Sequence, residues 1–280
     1  RKSDLSRPVN KLASDYAAFR ALPQQPAIPR GEDQTFVFDT VILLLVALFG
    51  AFSQSVSGFG MGLIMMPAFT STLGLDVARP LVTIIGTTAQ IVVMVRNRRS
   101  LTFGTLSILA VMGLVGVWVG NWIIELDILP EAALKFGLAV IIIAYALYAL
   151  FTPTMPQLKT ERWAGPVGLL SGILSGAYNT GGPPIVVYAD ARRWTPEMMR
   201  SNLSGFFLIK GLLLIWVHFR SGNFTPQVIN LYYLSLPVLV VAMLVGFSLY
   251  GKINAVRFRQ IVLVLLLAMG LNIMRGVFFG

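Results

Sequence analysis

The chain has 280 residues, of which 56% are hydrophobic and only 12% are charged. An ordinary globular domain has roughly 25% charged residues, and a chain this poor in charge could not cover a soluble surface with polar groups. The composition therefore excludes a soluble protein and indicates a polytopic integral membrane protein. The absence of cysteine and the single histidine, His218, exclude thiolate metal sites and sites that need two imidazoles, so we expect no metal and no cofactor.

The first 35 residues differ from the rest of the chain. They contain ten of the 34 charged residues and four of the 15 prolines. Proline-rich polar segments of this kind form extended linkers rather than packed helices. We interpret residues 1–35 as a polar N-terminal tail outside the membrane.

From Phe36 onward, apolar segments long enough to cross a ~30 Å hydrocarbon core follow one another. The sequence therefore predicts an all-α membrane protein with about eight membrane segments. These segments are Phe36–Val56, Ala78–Val95, Phe103–Ile124, Ala132–Phe151, Trp163–Ala177, Ser201–Phe219, Val228–Leu249 and Arg259–Phe278.

Two further apolar pieces, Met61–Leu73 and Pro184–Ala189, are too short to span as straight helices. Each follows a break rich in glycine, at Ser57–Gly62 in the first half and at Asn179–Pro184 in the second. Non-helical backbone at membrane depth is tolerated only inside protein or beside a water-filled cavity. The sequence thus predicts two short half-helices after discontinuous or re-entrant segments.

The breaks belong to an internal repeat. An offset of 121 residues places Gly60 on Gly181 and Arg79 on Arg200. The order of break, short segment, arginine and following spans is the same in both halves. We therefore predict two transmembrane repeats, residues 36–152 and 163–280, joined by a linker at 153–162.

Loop charge predicts the orientation of the two repeats. Loop Arg96–Ser100 carries three arginines, whereas its counterpart around Arg220 carries one. Loop Glu125–Glu131 has three acids and no base, whereas its counterpart Lys252–Arg259 has three bases. Because Lys and Arg mark the cytoplasmic side, the repeats should be inverted, with the tail and the C-terminus on the periplasmic side. Both three crossings per repeat (re-entrant hairpins) and five (full crossings) satisfy this prediction.

Inverted repeats with broken helices are typical of secondary transporters, whose site lies where the breaks meet. A helix N-terminus has unpaired N–H groups and a partial positive charge. The short helices that begin near Met61 and Pro184 would direct two such ends at the protein centre, which favours an anion site. The alternative is that the glycines only permit close helix packing.

Both breaks resemble those of the TauE/SafE family of sulfite exporters, the TSUP transporters. The resemblance is carried by Ser57–Ile64 with Pro67 and by Gly176–Pro184 with Tyr188, and it extends from about Phe36 to the end of the chain. It implies transport of sulfite, organosulfonates or other small sulfur anions across the bacterial inner membrane. It also implies coupling to an ion gradient, for which we expect the proton.

The predicted substrate-binding residues are backbone positions at the breaks, polar side chains near them and three cations. They are Gly58, Gly60, Met61, Gly62, Gly181 and Gly182; Gln54, Ser55, Ser57, Tyr178, Asn179 and Thr180; and Arg79, Arg200 and Lys210. The alternatives are that the polar side chains cap freed backbone, and that the arginines extend to lipid headgroups. An ionisable group as deep as Lys210 is a functional candidate, as a counter-charge or as a proton carrier, although its long stem could instead reach water or a carbonyl.

The sequence therefore predicts a secondary transporter for a small anion that works by alternating access, with an anion channel or a non-transporting scaffold as the alternative. An intramembrane enzyme lacks the paired carboxylates or the serine–histidine–acid set that it would need. The net charge of +10 lies mostly on the predicted cytoplasmic face, so it indicates topology rather than nucleic-acid binding. Substrate identity, transport direction and oligomeric state stay open.

Overall fold

A computed structural model of the chain describes residues 32–98, 101–126, 129–151, 157–252 and 255–279. For 32–39, 255, 256, 258, 259 and 279 it describes the helical backbone alone. Most of the predicted tail, residues 1–31, and residues 153–156 of the predicted linker lie outside the described residues. The chain divides into two compact units, residues 1–40 and 41–280, and the described part of the first unit, 32–40, is helical.

All secondary structure in the described ranges is helical, which confirms the predicted all-α class. Ten α-helices follow one another in these ranges, with a 3₁₀ turn at Glu161–Trp163 before the sixth. They are α1 (Glu32–Ser57), α2 (Met61–Leu73), α3 (Leu75–Asn97), α4 (Phe103–Glu125), α5 (Glu131–Phe151), α6 (Ala164–Tyr178), α7 (Gly182–Ala191), α8 (Pro196–Arg220), α9 (Pro226–Leu249) and α10 (Ala255–Phe279).

Seven of the helices in the described part of the chain are long and apolar enough to cross a membrane: α1, α3, α4, α5, α8, α9 and α10. They correspond to seven of the eight predicted spans. The eighth, Trp163–Ala177, is α6, which has only 15 residues. At 1.5 Å per residue, it extends about 22 Å and falls short of a ~30 Å core. Helix α6 is short because the second break ends it.

Helix boundaries repeat at the offset found in the sequence. Helices α1 and α6 end at Ser57 and Tyr178, and the short helices α2 and α7 begin at Met61 and Gly182. Each of these pairs differs by 121 positions, as do the first residues of α3 and α8. In the described residues, five helices therefore follow in the same order in each half, with the break after the first. This correspondence supports two repeats, whose opposite orientation in the membrane stays a prediction.

Equivalent residues also end the two broken helices. Gly58 follows α1 with a φ of 82°, and Asn179 follows α6 with a φ of 56°. A residue in this left-handed conformation commonly ends a helix, and glycine and asparagine adopt it most readily. The same local backbone conformation thus ends the helix at both breaks.

Close packing by small residues is concentrated between α4 and α6. A side chain at Gly116 would overlap the main-chain oxygen of Leu169, and one at Gly172 would overlap that of Gly113. Small residues let membrane helices approach this closely. Helix α3 packs on α8, and α5 packs on α10. The two breaks and the facing sides of α3 and α8 surround the centre of the second unit.

Candidate functional site

A cavity of about 50 Å³ lies between the two breaks. Its wall combines the end of α1, the first turns of α2 and α7, and the facing sides of α3 and α8. The lining residues are Gln54, Gly60, Met61, Gly62, Leu63, Val82, Thr83, Gly86, Thr87, Gln90, Asn179, Thr180, Gly182, Phe207, Lys210 and Gly211. We call this the central cavity. It brings together eight of the predicted site residues, from both halves of the chain.

Two helix N-termini reach the central cavity. In α2 the N–H of Ile64 donates to the carbonyl of Gly60 at 3.0 Å, so the three preceding N–H groups have no acceptor within the helix. Helix α7 begins at Gly182 with proline in its first turn, where no intrahelical hydrogen bond is lost. Each end carries a partial positive charge. Together they make the wall suitable for an anion.

The two breaks touch each other at Gly62. A Cβ atom on this residue would lie 2.5 Å from the carbonyl oxygen of Asn179, well inside van der Waals contact. Only glycine allows the two main chains to come this close. The contact fixes the spacing of the two helix N-termini.

Lys210 brings an ionisable amine to the same wall. Its side chain is 6% exposed, and its Nζ lies 4.9 Å from the centre of the Phe207 ring. No acidic residue is found among the described residues that line the cavity. Lys210 is therefore the only ionisable side chain among the described residues that line the cavity.

A polar stripe on α3 completes the wall and was missed by the sequence analysis. Thr83, Thr87 and Gln90 are spaced i, i+4 and i+7, which places them on one helix face. The hydroxyl of Thr87 donates to the carbonyl of Thr83 at 2.7 Å. The Oε1 atom of Gln90 is buried without a hydrogen-bond partner in the described residues. Their regular polar spacing within a span was the signal, since polar residues in a span turn toward protein or water.

The polar side chains around the first break bind the backbone at the end of α1. Gln54 donates from Nε2 to the carbonyl of Gly58 at 2.6 Å. Ser57 donates to the carbonyl of Ser53 at 2.8 Å, and Ser55 donates to that of Phe52 at 2.7 Å. Of these predicted site residues, Gln54 lines the central cavity, whereas Ser55 and Ser57 do not.

Around the second break, too, some of the predicted residues line the central cavity and others do not. Asn179 donates from Nδ2 to the hydroxyl of Thr83 at 2.9 Å, which ties the break to α3. Thr180 has a buried hydroxyl without a hydrogen-bond partner in the described part of the chain. Both line the central cavity. The carbonyl of Gly181 accepts from Ser171, and the half-buried Tyr178 packs beside α5, so these two lie off the cavity wall.

The two predicted arginines are buried, at 7% exposure for Arg79 and 4% for Arg200, and each contacts the broken helix of the other half. Arg79 donates from Nη2 to the carbonyl of Gly176 at 2.8 Å and to Oδ1 of Asn121 at 3.0 Å. Arg200 donates from Nη2 to the carbonyl of Ser55 at 2.5 Å. The two acceptor positions also differ by 121 residues.

These contacts are with the helix ends rather than with lipid headgroups. The carbonyls at the end of an α-helix lack intrahelical donors and carry a partial negative charge. Each guanidinium therefore satisfies one carbonyl at a break that belongs to the other half. Neither arginine lines the central cavity. We call these two contacts the reciprocal arginine caps.

A second, larger cavity of about 450 Å³ lies on the other side of the first break. It is lined by Ser53, Val56, Ser57, Phe59, Tyr145, Val186, Asp190, Trp194, Pro196, Met199, Arg200, Tyr250, Gly251, Val262, Leu263 and Leu266. Two of the predicted site residues, Ser57 and Arg200, therefore line this cavity instead of the central one. We call it the side cavity.

The fold and the central cavity define a multi-pass helical membrane protein with a buried cavity between two helix breaks, lined by two helix N-termini and one lysine. Residues 43–273 match the family described as sulfite exporter TauE/SafE, so the chain belongs to this family. The match confirms the family that the sequence resembles. Members of the family are exporters, and the chain is accordingly a membrane transporter and not an enzyme.

One curated relative is the probable sulfite/organosulfonate exporter TauE of Cupriavidus necator. It is 25% identical over 247 residues, which cover 83% of this chain and 93% of the relative. No solved structure matches the chain significantly.

Proposed function

We propose that the chain is a secondary transporter that moves a small sulfur-containing anion, sulfite or an organosulfonate, across the bacterial inner membrane. The observation that carries this proposal is the convergence of two helix N-termini and Lys210 on one buried cavity whose described wall holds no acid. The family and the name of the Cupriavidus relative support the substrate class.

The central cavity offers several donors to such an anion. Free N–H groups in the first turn of α2 meet the anion oxygens, as helix N-termini do in other anion sites. The hydroxyl of Thr180 has no other partner among the described residues and can donate to a further oxygen. Lys210 supplies the counter-charge. Gly62 lets the two breaks lie against each other beside the anion.

The reciprocal arginine caps support transport by alternating access. On the predicted topology, Arg79 lies toward the periplasmic side and Arg200 toward the cytoplasmic side. Each cap ties one repeat to the end of a broken helix in the other. Opening the central cavity toward one side separates the repeats there, so the arginine on that side leaves its carbonyl and becomes available to an arriving anion. The other cap keeps the opposite side closed.

Lys210 is the residue that we propose for proton coupling. When an anion is bound, its negative charge balances the positive charge of the protonated amine. In the empty carrier the same group would be a buried, unpaired charge, which is costly in a low-dielectric environment. Return of the empty carrier is therefore favoured after the proton leaves. One proton then accompanies each anion, and the direction of net flux follows the combined gradients.

Flux into proteoliposomes of the purified chain tests the proposal. We expect saturable sulfite flux, counterflow when unlabelled sulfite is trapped inside, and dependence on the proton gradient. Lys210→Gln should lower the sulfite affinity at least tenfold and remove the proton dependence, because the counter-charge and the titratable group are lost. The matched control is Lys252→Gln, an exposed loop lysine outside both cavities. Unsaturable ion currents would establish an anion channel instead, and absence of flux would leave only a scaffold.

A further inference from the structure

The break between α1 and α2 separates two cavities of different character. Gln54 and Gly60 line the central cavity, whereas Ser53, Ser57 and Phe59 line the side cavity. The volume of the side cavity, about 450 Å³, falls in the range of sites that hold small organic molecules. The central cavity, about 50 Å³, is much smaller.

The wall of the side cavity is mostly apolar. Helix α10 contributes three buried side chains, Val262, Leu263 and Leu266, and α5 contributes the ring of Tyr145. An apolar wall with a few polar groups that fix orientation is the usual composition of a small-molecule site. A bare oxyanion such as sulfite has no apolar surface to bury against this wall.

Arg200 is the cationic group of the side cavity. Its Nη2 donates to the carbonyl of Ser55, and its guanidinium carbon lies 4.0 Å from the centre of the Tyr250 ring. Its Nε is buried and has no hydrogen-bond partner in the described part of the chain. The carboxylate of Asp190 also lines the cavity and is already engaged in an interaction of its own. A buried guanidinium with a spare donor favours a ligand with an anionic head.

Two loops contribute to the lining of the same cavity. Trp194 comes from the loop between α7 and α8, Pro196 is the first residue of α8, and Gly251 comes from the loop between α9 and α10. Arg192 and Arg193 in the first loop do not line the cavity, and Arg192 is paired with Glu161 at 3.8 Å. Arg200 is therefore the cation of the described lining that an anionic head would meet.

We propose that the side cavity is a second binding site, for an organosulfonate whose anionic head meets Arg200 and whose apolar chain packs against α10. The sulfonate head rests on the proposed function; the apolar part rests on the cavity wall alone. The site selects organic sulfonates over sulfite before they pass the break at Phe59. The transporter would therefore prefer organic sulfonates to sulfite, a preference for which the small, polar central cavity has no apolar wall.

Chain-length dependence of binding tests this site. The full chain in phosphatidylcholine nanodiscs is titrated with methane-, butane- and hexanesulfonate, and the heat measured with empty nanodiscs is subtracted. Affinity should rise roughly fourfold for each added methylene that the wall buries. Hexylammonium, with the same chain and the opposite charge, should not bind. Equal affinity for all three sulfonates, or equal binding of hexylammonium, would overturn the proposal.

A matched pair of substitutions locates the binding. Val262→Phe fills the cavity from α10 and should abolish the chain-length dependence. Val264→Phe makes the same change at a residue that is 59% exposed and lines neither cavity, and it should leave the dependence intact. Identical behaviour of the two variants would place the ligand elsewhere and refute the site. Thermal unfolding of both variants checks that the comparison is between folded proteins.

A second measurement does not depend on Val262→Phe folding. Trp194 lines the side cavity, so 6-bromohexanesulfonate should quench its fluorescence, and Trp194→Phe should remove that saturable quenching. Quenching that survives this substitution would show partition into lipid and refute the site. Sulfite flux is recorded alongside: flux without chain-length dependence refutes only the second site, whereas absence of flux refutes the proposed function.

Discussion

Gly62→Ala tests whether contact between the two breaks sets the geometry of the central cavity. The added Cβ atom would lie 2.5 Å from the carbonyl oxygen of Asn179, about 0.9 Å inside the 3.4 Å at which ordinary contact begins. Both partners are main chain, so neither can rotate away. Overpacking of this kind typically costs about 1–3 kcal/mol of folding free energy.

The same displacement should weaken anion binding. If the breaks separate by about 0.9 Å, a hydrogen bond of ~2.9 Å from one helix N-terminus lengthens to ~3.8 Å and is lost. A hydrogen bond to a charged group contributes about 1.5–3 kcal/mol, so we expect sulfite affinity to fall roughly ten- to a hundredfold. Sulfite flux into proteoliposomes, measured as a function of sulfite concentration, gives this number.

Gly276→Ala is the matched control for this prediction. Gly276 lies inside α10 and lines neither cavity, and nothing lies within 4 Å of the Cβ atom that alanine would add. Alanine inside a helix is about 0.5–1 kcal/mol more favourable than glycine, so this variant should be at least as stable as the parent. Wild-type affinity and stability in Gly62→Ala, or equal damage in both variants, would refute the reasoning.

Three further predictions concern other contacts. Gly172→Ala should lower the thermal unfolding temperature by several degrees because its methyl group would overlap main chain of α4, whereas Gly165→Ala, with only ordinary contacts, should not. Arg79→Gln should weaken the apparent sulfite affinity from the periplasmic side, and Arg200→Gln should weaken it from the cytoplasmic side. The measurement is sulfite flux with substrate added to one side of the membrane at a time. Unchanged affinity on both sides would refute the role proposed for the reciprocal arginine caps. Thr180→Val removes a buried hydroxyl that has no partner among the described residues, so the stability to unfolding should be unchanged or higher. The sulfite affinity should fall about tenfold, because a donor to the anion is lost. An unchanged affinity would exclude this hydroxyl as a donor.

The sequence predicts the helices well because they follow from local chemistry. Apolar length determines the spans, and glycine and proline determine the breaks, so the prediction for Met61–Leu73 coincides with α2. Helix α6 is shorter than a full span because the break at Asn179 ends it. The contrast between apolar spans and glycine-rich breaks is thus sufficient to locate the central cavity.

The partners of the side chains could not be predicted in the same way. A main-chain carbonyl accepts the hydrogen bond of each arginine. Because every residue has such a carbonyl, the sequence does not show which one is the acceptor. The polar stripe on α3 was visible as a spacing, but only the packing of α3 on α8 shows that Thr87 faces Gly211 and Lys210. Contacts between residues distant in sequence depend on the tertiary fold, which a single sequence does not display.

The reciprocal arginine caps also bear on how such a molecule can evolve. Because the acceptors are the main-chain carbonyls of Ser55 and Gly176, the hydrogen bonds themselves do not depend on the residue type at these positions, although close packing on Val117 keeps Gly176 a glycine. Two duplicated halves can therefore diverge until little identity remains between them, while each continues to complete the other. For the same reason, neither half is self-sufficient: expressed alone, each half would lack the carbonyl that its arginine binds in the other half and would expose a helix end with no donor. Co-expression of the two halves as separate polypeptides should restore a functional protein, because the bonds that join them need no covalent link.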